Sequence, residues 1–193
     1  MSISGNKQIW RSGNMLYPVP AVMVTSGIYP EKINVFTAAW AGTVCSDPAM
    51  TYVSIRPSRY SYELIKETGE FVINLTTRDL ARACDTVGVI SGRDKDKFTL
   101  CHLTPEKAEK VSAPLLLESP VNIECKVTQI LPLGSHDMFL GEVLCVHVSE
   151  SLLDKNGRLA LEKADLITYS HGDYMTLGEK IGSFGYSVKK KSR

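Results

Sequence analysis

Seven short runs rich in β-branched and aromatic residues, each closed by a turn signal, constrain this chain more than any other feature. They lie at residues 21–26, 33–40, 50–55, 70–75, 121–131, 137–149 and 166–169. Their lengths, their alternation and the Gly, Pro and Asn/Asp punctuation between them are those of strands. Two helices are expected among them. Residues 58–68 have Ser58 as a candidate N-cap and Gly69 as the stop. Residues 78–87, with Thr77 as cap, carry Leu80, Ala83, Cys84 and Val87 at helical spacing. Residues 91–98 read as a charged loop, residues 104–110 as a short helix, and residues 132–136 as a turn between the two longest strands. No repeat, linker or composition break divides residues 1–193, so one domain is expected. Many strands with few helices predict a mainly β fold, a barrel with flanking helices.

Composition narrows the function classes. The 193 residues are 44% hydrophobic and 22% charged, enough apolar material for a sizeable core. The 22 basic and 21 acidic residues leave a net charge of +1, which argues against nucleic acid and anionic membranes as partners. No apolar stretch approaches the roughly 20 residues of a membrane span. The N-terminus lacks the basic-then-apolar layout of a signal peptide. Cys45, Cys84, Cys101, Cys125 and Cys145 include no Cys-x-x-Cys pair and no zinc-type Cys/His spacing. They read as reduced, mostly buried thiols in a cytoplasmic protein. His102, His136 and His147 stand alone in the sequence, with no triad or metal pattern.

Chemistry concentrates between Asn34 and Tyr62. A strand that runs out through Thr37, Ala38, Ala39 and Trp40 into Ala41 and Gly42 lets a planar ligand lie close to backbone. Thr37, Thr43 and Ser46 can serve the polar edge of a heteroaromatic ring, with Trp40 as an apolar wall. The competing reading puts Trp40 in the core beneath a helix. Downstream, Arg56, Ser58, Arg59 and Ser61 gather at a strand-to-helix junction, where free backbone N–H groups, hydroxyls and guanidinium groups suit a phosphate. Its plainer alternative has Ser58 capping the helix and both arginines solvated. A small-residue platform one strand upstream of an anion-binding helix start matches a phosphorylated planar cofactor.

These segments resemble the flavin reductase-like FMN-binding family, and within it most closely the flavoredoxins. The resemblance runs through residues 20–27, 34–40, 44–48, 54–66, 68–75, 91–98 and 177–186, nearly the whole chain. It implies a split β-barrel, a Greek-key barrel with flanking helices. It also implies non-covalently bound FMN and a homodimer with sites near the subunit interface. Nothing in the spacing itself separates FMN from FAD. By position, Asn34, Thr37, Ala38, Ala39 and Trp40 would line the isoalloxazine and ribityl side. Thr43, Cys45 and Ser46 would meet the ring edge, Cys45 through its backbone and size. Arg56, Ser58, Arg59, Ser61 and Tyr62 would form the phosphate end.

The resemblance leaves two activities open: an electron carrier docking to a redox partner protein, and a flavin reductase using NADH or NADPH. A flavin-binding barrel with a storage or sensing role is a third reading. His171-Gly172 lies where the reductase branch resembles a nicotinamide-contacting His-Gly pair; the alternative is an ordinary surface histidine. Residues 93–97 read either as a loop closing over the flavin or meeting the partner subunit, or as a solvated charge run. The basic residues 189–193 are expected to form a solubilising tail.

Overall fold

The protein is described by a computed structural model that covers residues 5–188; the basic tail 189–193 and the first four residues lie outside the described residues. In chain order the elements are β1 (Val19–Pro20), β2 (Val22–Ile28), β3 (Lys32–Ala38), β4 (Ala41–Ser46), β5 (Ala49–Ile55), α1 (Tyr60–Thr68) and β6 (Glu70–Leu75). There follow α2 (Ala81–Val89), α3 (Lys97–Cys101), β7 (Pro105–Glu106), β8 (Leu115–Leu116), β9 (Val121–Pro132), β10 (Asp137–Val148), β11 (Ile167–Ser170) and β12 (Asp173–Thr176). Seven strands form one antiparallel sheet in the order β3-β2-β6-β9-β10-β5-β4. β1, β11 and β12 make a second, smaller sheet. This is the mainly β barrel with flanking helices that the sequence predicts. No described helix is long and apolar enough to cross a membrane.

Alternation places the cores. Val22 and Val24 of β2, Phe36 and Ala38 of β3, Val53 and Ile55 of β5, Phe71 and Ile73 of β6, and Phe139 of β10 meet in one buried cluster, joined by Ile65 of α1. The opposite faces of β2 and β3 carry Met23 and Val35, which with Ala21 just before β2 pack under α2 through Cys84 and Val87. β2 is thus buried on both faces, including its polar Thr25 and Ser26, so its apolar residues Val22, Met23 and Val24 run on without alternation. Each fully buried aliphatic or aromatic side chain here contributes about 1.5–3 kcal/mol by leaving water.

Four local expectations are corrected. The helix expected from residue 58 begins at Tyr60, with Arg59 as its N-cap and no side-chain cap bond, because residues 56–59 first make a turn closed by Arg59 N–H to Arg56 O (2.9 Å). The helix expected from residue 78 begins at Ala81, since Thr77 closes a turn onto Leu80 first. Residues 91–98 end in α3 rather than remaining a loop; Asp96 caps it by accepting from Phe98 N (3.0 Å) and Thr99 N (3.4 Å).

Residues 104–110 form no helix. The N–H groups of Glu109, Lys110 and Val111 instead donate to the buried carboxylate of Glu124 at 2.9, 2.6 and 3.1 Å. Glu70 takes the Ser112 N–H (2.7 Å), and Asn74 Oδ1 takes the Leu116 N–H (3.0 Å). The last two donors of the expected helix, and those that follow it, are claimed by side chains of distant strands.

Gly141 shows how tightly the barrel is filled. A Cβ there would stand 2.9 Å from Phe71 Cζ and 3.2 Å from Cys125 Cβ, both on fully buried side chains. Overpacking of this kind costs about 1–3 kcal/mol. Gly141→Ala is therefore expected to lower the unfolding free energy by that amount, read as a lower urea midpoint at unchanged m value; an unchanged midpoint would mean that the barrel interior yields here.

Candidate functional site

The end of β3, the β5–α1 turn, the C-terminal half of α2 and the loop after it surround a cavity of about 480 Å3. Six sequence candidates line it: Asn34 and Thr37 from β3, then Arg56, Ser58, Arg59 and Ser61. Val87, Gly88, Ser91 to Arg93 and Lys97 complete the wall. Four of these side chains are cationic and none is a carboxylate, an arrangement that attracts an anion.

Polar groups in this wall are held in place. Ser61 is buried and its Oγ accepts from Asn34 Nδ2 (2.8 Å) and Ser26 Oγ (2.9 Å), which leaves its own O–H to donate. Because Ser58 does not cap α1, its hydroxyl stays with the cavity wall, beside N–H groups of the first helical turn that have no helical partner. Arg93 ties the loop down. It donates to Ser58 O (3.1 Å), reaches Glu63 (3.3 Å) and lies over the Tyr60 ring (5.2 Å). Residues 93–96 are otherwise exposed, as a solvated charge run would be, while Arg93 docks the loop on α1 and Lys97 is buried.

Lys97 is the cation that sequence reasoning left without a role. It is 4% exposed, and its Nζ donates to Val35 O (2.7 Å) and Val87 O (2.8 Å). Two of its three donors are used, and the third remains for a ligand. Burial, reinforced by the Arg59 guanidinium, pulls its pKa down to about 8. The one sequence signal was Asp96, whose capping role would have placed Lys97 at the first helical position.

Glycines set the spacing around these groups. A Cβ on Gly92 would come 2.1 Å from Asn34 Oδ1, and one on Gly88 would come 3.0 Å from Thr37 Cβ. The loop and α2 approach β3 closely only because both positions lack side chains.

Thr37 and Gly88 also line a second cavity of about 290 Å3, with Ala39, Trp40, Tyr169 and Tyr174. Trp40 is half-buried and lines that wall, so the alternative that buries it in the core does not hold. On its other side Ala39, Trp40 and Arg56 face a third cavity of about 780 Å3, formed with Tyr52, His136 and Met15. The stretch from Thr37 to Trp40 therefore borders all three spaces.

Other candidates lie elsewhere. Ala38 points into the barrel core. Thr43 and Ser46 are exposed on the edge strand β4, where half-buried Cys45 sets its Sγ 3.4 Å from Asp47 O. Tyr62 turns away, donating to Asp137 (2.7 Å) and packing edge-on against Phe139 (5.3 Å between centroids). His171 sits exposed in the β11–β12 turn at φ 50°. Its ring stands 5.8 Å from that of Tyr17, which in turn stands 6.2 Å from that of Trp40. Burial pushes the Cys84 thiol up and that of Cys125 to about 12, so neither is a nucleophile near neutrality.

Comparison with known proteins agrees with this geometry. The family model of the flavin reductase like domain matches residues 14–178. An uncharacterized protein of Archaeoglobus fulgidus is 36% identical over 143 residues, 74% of this chain and 78% of its own. Among solved structures, the flavoredoxin of Desulfovibrio vulgaris (Miyazaki F) superposes with a TM-score of 0.88 at 33% identity, over 95% of this chain and 100% of that one. A flavoredoxin from Methanosarcina acetivorans gives 0.87 at 26% identity, over 95% and 98%.

The depressed pKa of Lys97 makes anion binding pH-dependent. Charged Lys97 is favoured below about 8 and lost above it, so the affinity for a phosphate monoester should fall between pH 7 and 9. Fluorescence or calorimetric titration should show this fall in the wild type and a flattened profile in Lys97→Met. Without ligand the sign reverses for stability. The unfolded chain holds this proton up to about 10.5, so the contribution of Lys97 to stability rises with pH between about 8 and 10.5.

Proposed function

Because the chain belongs to the flavin reductase-like domain family, we propose that it is an FMN-binding redox protein of flavoredoxin type. It passes electrons through non-covalently held FMN to a redox partner protein. The observation that carries this reading is the cavity whose wall has four cations and no carboxylate in a chain of net charge +1. A phosphate dianion fits it: Arg56, Arg59 and Lys97 supply charge, Ser58 and Ser61 supply hydroxyls, and Gly88 and Gly92 give the close backbone approach. The phosphate end lies there, and Thr37, Ala39 and Trp40 lead from it towards a planar ring.

When bound, FMN supplies the electron-carrying isoalloxazine. The residues of this chain do the rest. Arg56, Arg59 and Lys97 offset the phosphate charge, and Asn34 and Ser61 fix the first contacts of the chain that leads away from it. Trp40 and its aromatic neighbours exclude water from the ring side. No acid, base or nucleophile is needed.

The second reading is an NAD(P)H-dependent flavin reductase. It is favoured by one observation, the ring chain His171–Tyr17–Trp40 that runs from the β11–β12 turn to the cavity rim. We place either protein in the cytoplasm, a location that five unpaired cysteines support.

Visible spectra of the purified protein test the proposal. Stoichiometric FMN whose absorbance persists under anaerobic NADH and NADPH is the expected result. Rapid bleaching by either nucleotide selects the reductase, and a colourless protein that takes up no added FMN overturns both. Arg56→Ala combined with Ser58→Ala should weaken FMN at least about tenfold without unfolding, since charge-assisted hydrogen bonds contribute about 1.5–3 kcal/mol each. Unchanged affinity would remove the phosphate assignment.

The working form is read as a homodimer with the flavin near the interface. Its support is the exposed apolar load of the arms: Trp10 is 75% exposed, Leu16 87%, Ile181 88% and Phe184 106%. Light scattering should give twice the chain mass; a monomer would remove the interface.

A further inference from the structure

Glu124, Cys145 and His147 bring a carboxylate oxygen, a sulfur and an imidazole nitrogen within 4.8 Å of one another. His147, which stands alone in the sequence, is therefore not alone in the fold. A β-bulge makes the meeting possible. Val143 pairs with Cys125 on the barrel side, but the register shift before Cys145 pairs that residue with Glu124 on the outer face. His147, two residues on, follows Cys145 to that face. Sequence spacing could not reveal this, because the third ligand comes from another strand and the bulge resets the alternation.

The geometry separates two chemistries. In a nucleophile relay the imidazole stands between its partners, with the carboxylate on one nitrogen and the thiol on the other. Here both meet the same nitrogen: His147 Nε2 is 2.5 Å from Glu124 Oε1 and 3.7 Å from Cys145 Sγ. Three donor atoms with one focus form a cation site rather than a relay. Tetrahedral zinc, with bonds of about 2.0–2.3 Å to N, O and S, sets its ligands about 3.3–3.6 Å apart. The thiol and imidazole already stand near that spacing. The hydrogen bond between Glu124 and His147 must open by less than about 1 Å, and Glu124 and Cys145 stand within 4.8 Å of each other.

The surroundings suit a cation as well. Glu124 is fully buried, and the backbone N–H groups of Glu109, Lys110 and Val111 fix its carboxylate as outer contacts fix a metal ligand. The His147 side chain is 35% exposed and lines a cavity of about 300 Å3, so solvent reaches one of the three groups. None of the three residues lines the anion cavity.

We propose that Glu124, Cys145 and His147 bind one zinc-class divalent cation, with solvent as the fourth ligand. Nitrogen, oxygen and sulfur donors together select zinc over magnesium or calcium. As the metal bonds form, the Cys145 thiol gives its proton to solvent, and the Nε2 proton that His147 donates to Glu124 passes by way of solvent to Nδ1, leaving a neutral imidazole; no electron is transferred. Glu124 also holds residues 109–111, so the cation fastens that segment to β9 and β10.

Calorimetric titration of the full-length, chelator-treated protein with ZnCl2 tests this, beside Cys145→Ser and His147→Gln. The wild type should bind one Zn2+ per chain and melt at a higher temperature with the metal. Each variant should lose at least about tenfold in affinity, and with it the thermal gain. Both substitutions spare Glu124 and its three backbone contacts, so the variants should fold. Absence of uptake by the wild type, or undiminished uptake by either variant, would overturn the proposal. Neither result bears on FMN binding, which the absorbance of the same samples reports separately.

Discussion

A buried ammonium organises the candidate site. Lys97 Nζ joins the carbonyl of Val35 on β3 to that of Val87 on α2, so one cation links the barrel wall, the flanking helix and the loop between them. Dehydrating a charge this way is costly, and two carbonyl dipoles offset only part of the loss. The depressed pKa is the sign of that residual cost. An anion in the adjoining cavity would remove it, so the apoprotein holds a strained charge that ligand binding relieves. Arg93 on the same loop completes the frame, pinning it to Ser58 and Glu63 and holding Gly92 against Asn34.

The fold was legible wherever local pattern and burial agree. β2, β5, β6, β9 and β10 fall within a residue or two of their expected ends, because turn residues punctuate them and alternation places their faces. Part of what failed was decided over long sequence distances. Residues 104–110 have acceptable helix formers, yet Glu124, more than ten residues downstream, takes the N–H groups a helix would need. β4 and β12, short and largely exposed, carry too little periodicity to stand out alone. Ser58 had the right chemistry for a cap, but the preceding turn holds it one residue too early.

The site was legible in a parallel way. Asn34, Thr37, Arg56, Ser58, Arg59 and Ser61 come together because β3 and the β5–α1 turn, far apart in the sheet order, meet where the barrel closes, which the strand pattern alone does not tell. Tyr62 left the group for a plain geometric reason: one step along a helix from Ser61 rotates the side chain by about 100°. That rotation carries it from the cavity to Asp137 and Phe139. Lys97 escaped notice because a lysine in a charged run reads as solvated unless the cap before it is recognised.

Taken as a whole, the charge pattern is a consequence of these two buried groups. With 22 basic and 21 acidic residues the chain is nearly neutral, so the absence of carboxylates from the anion cavity reflects their placement rather than their scarcity. Glu70 and Glu124 are committed to backbone N–H groups of residues 109–112, on strands that the cavity does not include. Had either carboxylate faced Lys97, a salt bridge would have neutralised both and left the arginines of the cavity to meet a phosphate without the buried cation. Keeping the buried cation and the buried anion on separate walls therefore preserves an anion site and gives the other wall a carboxylate that a cation can use. One fold supports both because each charge is held by backbone groups instead of by the other.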